Sequence, residues 1–249
     1  MAHHMADQPR IRQVLLGIAR CPSAHPGLEV DHPCAAVVHS QCANGPSDFQ
    51  LPEPWRGDIA GAPLLFVSSN PSWDPNVDNP TSLTDDDTIF RYYDSGFQDF
   101  PFVHLKDGNR RQKKVRFWLE IQSRAEELYE RDVTAGRDYA LTEVVHCKSR
   151  GERGVREAVD ECTGRHFARL MELSPAVVVV VLGKVAKFAL RIDAPAPFHD
   201  AWYGRERFVV TLPHTNARIP RKFTTNYSED QLEPIRAALR AFTSTRPAK

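Results

Sequence analysis

The chain has 249 residues, 41% hydrophobic and 26% charged, enough for one substantial core or two small ones. Its 32 Lys and Arg balance 32 Asp and Glu, so no overall field draws it to nucleic acid, and any such surface must be a local patch. No apolar run approaches the roughly 18–20 residues that span a bilayer, and the N-terminus lacks the apolar stretch of a signal peptide, so no membrane association and a cytoplasmic location are expected.

Residues 10–20 (RIRQVLLGIAR) read as a short helix. Residues 21–62 are rich in Pro, Gly, His and Cys with little periodicity, an irregular segment held by something other than a core. Pro63–Ser69 (PLLFVSS) is a buried strand. Residues 70–110 form a polar and aromatic loop of a length that is uncommon and often functional. Over 112–131, Val115, Trp118, Ile121, Ala125 and Leu128 recur at three- and four-residue spacings, as in an amphipathic helix. Tyr139–His146 is the second strand. A second helix covers 154–173, where Val155, Val159, Cys162, Leu170 and Leu173 share a stripe that turns Cys162 inward. Ala176–Leu182 is continuously apolar, the pattern of a strand buried on both faces of a parallel sheet, and Gly183–Arg191 begins a helix directly after it. Arg207–Leu212 is the fourth strand and 228–242 the closing helix. Strands alternating with helices predict an α/β fold with a parallel sheet, in a single domain over 10–243. Residues 1–9 are expected to be a disordered, tag-like start and 244–249 a frayed tail.

Five cysteines are an odd number, and without an export signal thiolate ligands to a metal or cluster are a better expectation than disulfides. Small buried hydrophobes are the plainer alternative.

Four segments just past strands follow in a set order: Val67-Ser-Ser-Asn-Pro-Ser72, then Phe100-Pro-Phe-Val-His104 with Arg116-Phe-Trp118, then the cysteine-bearing block Leu141–Gly183, then Leu212-Pro-His-Thr-Asn216. Together they resemble the iron–sulfur-containing branch of the uracil-DNA glycosylase superfamily, with an Asn-Pro motif like that of the mismatch-specific enzymes. The resemblance covers roughly residues 34–240. It implies a three-layer α/β/α domain around a central four-stranded parallel sheet. It also implies a monomeric DNA glycosylase of base-excision repair, a hydrolase that cuts the N-glycosidic bond of a flipped-out damaged base such as uracil or hypoxanthine, in single- or double-stranded DNA.

On that resemblance Asn70 would position the attacking water, by orientation because an amide is a poor base. His214 would donate to the base O2 as negative charge builds, a preorganised donor worth about 3–4 kcal/mol of barrier. Ser69 would line the site, Phe102 would stack on the base, and Arg218 or Ile219 would fill the gap in the stack. Each has a plainer role: a turn amide, a loop histidine, core aromatics, a solvated basic loop. Cys34, Cys42, Cys147 and Cys162 would hold a [4Fe–4S] cluster, although seven residues separate Cys34 from Cys42 where the branch has C-x-x-C, and Cys21 is a substitute. Zinc is the alternative, with His32, His39 or His146 as further ligands.

Where the family has a base-reading Asn on the second strand, this chain has Glu143. An ionised carboxylate only accepts hydrogen bonds. Either burial raises its pKa so that it also donates, or the base presents two donors. Glu143, with the serines flanking Asn70, also motivates a second expectation: a catalytically silent, cluster-bearing DNA-binding or damage-sensing protein on the same fold. Arg110-Arg-Gln-Lys-Lys-Val-Arg116, with Lys148, Arg150 and Arg153, is the expected phosphate-contacting surface.

Overall fold

The computed structural model describes residues 2–41, 45, 47–94, 97, 99–194, 196–219 and 221–245. Apolar runs form β1 (Leu64–Ser68) and β3 (Val178–Leu182), and β2 (Tyr139–Glu143) joins them with the polar Thr142 and Glu143 at its end; every residue of the three is buried. β4 (Phe198–Trp202) and β5 (Arg205–Leu212) complete a five-stranded sheet in the order β2-β1-β3-β5-β4. The first four strands are parallel, and β4 pairs antiparallel with β5. The register aligns Leu64, Tyr139, Val178 and Phe208 in one row and Leu65, Ala140, Val179 and Val209 in the next.

Because strand side chains alternate, these two rows face opposite layers. One face packs on α1 (Ala2–Ala19), α5 (Val155–Cys162), α6 (Ala168–Leu173) and α7 (Gly183–Ala189), through residues such as Leu15, Ile18, Val159, Leu170 and Ala186. The other packs on α4 (Arg116–Tyr129), α8 (Phe223–Asn226) and α9 (Glu229–Ser244), through Ile121, Leu128, Phe223, Ile235 and Leu239. The expected three-layer α/β/α architecture is present. The remaining helices are α2 (Ala35–His39) and α3 (Asp86–Asp94). No helix among the described residues is long and apolar enough to cross a membrane.

Four differences from the sequence reading have physical causes. The sheet has a fifth strand, because β4 is an edge strand whose middle residues are exposed and which therefore lacks alternation. Its signature is the two-residue turn Tyr203-Gly204, both at positive φ, which matches the twist of a hairpin. The loop over 70–110 contains α3, whose Ile89 and Tyr93 are buried. The helix expected over 112–131 begins only at Arg116, so the cations at 110, 111, 113 and 114 lie in the preceding loop. The helix expected over 154–173 carries a π turn at Thr163–Phe167, one residue after Cys162, and such bulges are frequent at functional sites.

From β2 the chain crosses back over β1 to β3, so the winding direction reverses between β1 and β3. A crevice beyond the carboxyl ends of strands at such a reversal is where open α/β sheets bind ligands.

Candidate functional site

Asn70 leaves the end of β1 and His214 the end of β5, one strand to either side of β3. Two strand spacings separate them, about 10 Å along the sheet. Asn70 Nδ2 donates to Pro71 O at 2.9 Å, to Ser149 Oγ at 2.8 Å and to Cys147 O at 3.4 Å. All three contacts use the nitrogen, which leaves Oδ1 as the acceptor for a ligand. Ser69 is buried and donates to Glu152 Oε1 at 2.8 Å.

His214 is half-buried, and burial holds its pKa below the ordinary value against the opposing pull of Glu152. The Asn216 N–H donates to His214 Nδ1 at 3.3 Å, so the proton of the neutral ring sits on Nε2, which is free to donate. Phe117 stacks on the imidazole, centroids 5.8 Å apart and planes 24° from parallel. Gly183, φ +82°, lies between the two residues at the end of β3; a Cβ there would come within 3.0 Å of His214 Cβ.

Glu143 closes β2 in register with Ser68 and is 3% exposed. Its Oε2 is buried and has no hydrogen-bond partner among the described residues. Behind it lies an ion network that sequence reasoning missed. Glu53 accepts from Arg56 Nε at 2.6 Å, from Arg56 Nη2 at 2.8 Å and from Lys148 Nζ. Burial, and then the charge of Glu53, raise the Glu143 pKa to about 8 against the smaller pull of Lys148 and Arg56. The two cations hold Glu53 far below the usual carboxylate range despite its burial. Lys148 is thus not a surface cation as expected: it is 2% exposed and committed to Glu53. Arg150 and Arg153 are exposed, with the Arg150 guanidinium 4.8 Å over the Trp73 ring.

Phe102 is half-buried on the wall of an aromatic cavity of about 390 Å³, shared with Tyr92, Phe97, Phe100 and Trp118 and with Arg56. Arg110 covers one face of Phe102 at 4.3 Å. Arg56 reaches Trp118 at 5.5 Å and Tyr93 at 5.9 Å, so the cavity borders the Glu53 network. The consecutive α4 residues Phe117 and Trp118 touch His214 and this cavity respectively. Arg218 and Ile219 are exposed in the loop after His214, Ile219 at 59%. Ile219 also lines a groove against α4 with Arg116, Arg221 and Lys222.

A second constellation lies behind this edge. Cys21, Cys34, Cys147 and Cys162 line one pocket with His146 and His166. Cys42 lies outside the described residues, and Cys21, from the segment after α1, is the fourth cysteine there. A close backbone approach helps to assemble the pocket. Gly154, φ +75°, lies so near α2 that a Cβ would stand 2.1 Å from Val37 N, which docks the segment after Cys34 on the start of α5.

Burial raises every one of these thiols, Cys34 to about 11 and Cys162 to about 12. Their mutual proximity raises Cys34, Cys147 and Cys162 further. With pKa values raised in this way the four are neutral thiols, and only a bound cationic centre would hold them as thiolates. The Nε2 atoms of His146 and His166 are buried and unpartnered in the same pocket, orphans that a bound group would relieve. No three or more His, Cys, Asp or Glu among the described residues are gathered closely enough for one metal ion. A single zinc needs sulfurs within about 4 Å of one another, whereas ligands on different irons of a cluster stand further apart. His32 Nδ1 accepts from the Cys34 N–H at 3.0 Å, and His39 is exposed.

No protein-family model matches the chain, and no curated protein sequence does.

Proposed function

We propose that the chain is a DNA glycosylase that hydrolyses the N-glycosidic bond of an everted, damaged base. The observation that supports this reading is that Asn70 and His214 follow β1 and β5 on the carboxyl edge of the sheet, one strand to either side of β3. Asn70 Oδ1 accepts a hydrogen bond from the attacking water and orients it. The His214 Nε2–H stabilises the departing base, and a ring held neutral suits a donor that need not release its proton. The aromatic cavity with Phe102 receives the base, and the exposed Arg218–Ile219 loop fills the space left in the stack. Exposed Lys113, Lys114, Arg116, Arg150 and Arg153 contact phosphates.

Cys21, Cys34, Cys147 and Cys162 would hold a [4Fe–4S] cluster, which would tie the segments after α1 and before α2 to the end of β2 and to α5. A cytoplasmic location belongs to the same proposal.

The test is single-turnover incubation with oligonucleotides carrying uracil, hypoxanthine, xanthine or ethenocytosine, followed by alkaline cleavage of abasic sites. Breaks that vanish in Asn70→Ala are expected. Salt-sensitive binding with no breaks for any base would leave a DNA-binding protein without this chemistry.

A further inference from the structure

A groove of about 750 Å³ runs between α1 and the helix that continues through the π turn into α6, and it shares no residue with the Asn70–His214 site. Arg10 and Gly17 face it from α1, and Gly164, Arg165, Arg169 and Glu172 from the opposite wall. Arg10 bonds to Glu172 at 2.6 Å across the groove, which closes one end and neutralises the acid that lines it. The other end lacks side chains. Gly17 and Gly164 lie in helical segments outside the left-handed region, and a Cβ on either would meet nothing within 4 Å. Glycine inside a helix is less stable than alanine, and neither backbone geometry nor packing demands it at these two positions. What they provide is space.

His166, from the π turn, borders that space and forms the wall between the groove and the thiol pocket, since it lines both. It is 6% exposed, and its Nε2 has no partner among the described residues. Buried polar atoms are rarely left so without a bound group to meet them. Arg165 and Arg169 stand one helical turn apart, a spacing at which like charges oppose helix formation. Arg165 is paired with Glu161, whereas Arg169 is exposed with no ion pair or hydrogen bond among the described residues.

We propose that this groove binds a small phosphate-bearing anion, of the diphosphate or nucleotide class. The Arg165 and Arg169 guanidinium forks hold the phosphate oxygens. The His166 Nε2–H adds a third donor, and the space over the two glycines admits the ligand. The Arg10–Glu172 bridge makes the groove a trough closed at one end, which suits a small ligand and not a polymer backbone that must run through. This goes beyond the glycosylase reading, and its test reads no base excision, so failure of either leaves the other in place.

The experiment is calorimetric titration of the full chain at low salt with pyrophosphate, and separately with citrate and with a short single-stranded oligonucleotide. One pyrophosphate per chain is expected. Arg169→Ala should weaken it at least about tenfold, the scale of a hydrogen bond to a charged group. Gly17→Leu should abolish binding by filling the groove, with no fall in melting temperature because leucine is the better helix former. In protein labelled with nitrogen-15 histidine, pyrophosphate should shift the ring signals that His166→Gln removes. Three results would each overturn the proposal: no saturable pyrophosphate binding, binding untouched by both Arg169→Ala and Gly17→Leu, or binding of citrate or the oligonucleotide alone.

Discussion

Replacing Glu53 by Gln probes the ion network behind the site. Glu53 is 5% exposed and is the shared counter-ion of Arg56 and Lys148, themselves 8% and 2% exposed. Gln keeps the shape and removes the charge, stranding two buried cations. Breaking a buried pair in this way costs about 3–5 kcal/mol. Glu143 softens the loss. It is kept neutral partly by the charge of Glu53, so removing that charge lets Glu143 ionise and act as a substitute counter-ion. Glu53→Gln alone should therefore cost near the lower figure. In a Glu143→Gln background, where no substitute remains, it should cost near the upper one, a coupling of about 1–2 kcal/mol.

Urea unfolding of the four proteins at neutral pH measures this. A loss below about 1 kcal/mol in both backgrounds, or strict additivity, would refute the reasoning. The pH dependence has a definite sign. The Glu143 pKa rises from an ordinary 4.5 to about 8, so between these values the unfolded chain has released a proton that the folded chain keeps. Stability falls as pH rises through that window, by at most about 1.4 kcal/mol per unit, and Glu143→Gln removes this slope. Glu53 acts oppositely: its contribution is present above 4.5 and is lost as acid approaches its depressed folded value.

Arg207 is fully buried and donates to the carbonyls of Met171, Ser174, Ala176 and Trp202, with no ion pair to an acid among the described residues. Arg207→Met should strand those carbonyls and cost about 3–5 kcal/mol, lowering the melting temperature by about 10 °C. A drop under about 3 °C would contradict the role assigned to these hydrogen bonds. For the cysteine pocket, the proposed cluster predicts about four irons per chain in anaerobically purified wild type, their loss in Cys21→Ala and their retention in Cys42→Ala. Iron retained in Cys21→Ala and lost in Cys42→Ala would return Cys42 to the ligand set.

The parallel strands and their helices were legible because hydrophobic period and composition act locally. Val178–Leu182 can only be a buried strand, and Ile121, Ala125 and Leu128 can only be one helix face. Asn70, His214 and Glu143 were legible as residues that follow or close strands, since parallel strands deliver their carboxyl ends to one edge. Their partners were not. Glu152 reaches Ser69 across 83 residues and Lys148 reaches Glu53 across 95, and no local pattern records such distances. A buried lysine in a basic run carries the same letters as a solvated one, so Lys148 looked like its neighbours. Cys21 lines the thiol pocket only because the segment between α1 and α2 folds back on it, which its place in the sequence does not record.

The nine residues from His146 to Gly154 explain why one edge of the sheet carries both constellations. The His146 N–H donates to Cys162 Sγ at 3.4 Å, and Cys147 lines the thiol pocket. Lys148 neutralises Glu53, and Ser149 Oγ accepts from Asn70. Glu152 takes the Ser69 proton donor, and Gly154 admits the backbone of α2. Successive residues of one loop thus hold the thiol pocket, the buried ions and the Asn70 amide. A loop of this kind has little apolar surface with which to hold its own shape. A group anchored at Cys147 would restrain the peptide that also presents Cys147 O and Ser149 Oγ to Asn70. On the proposed function, that restraint would hold the orientation of the Asn70 amide, whose task there would be to point a water in one direction.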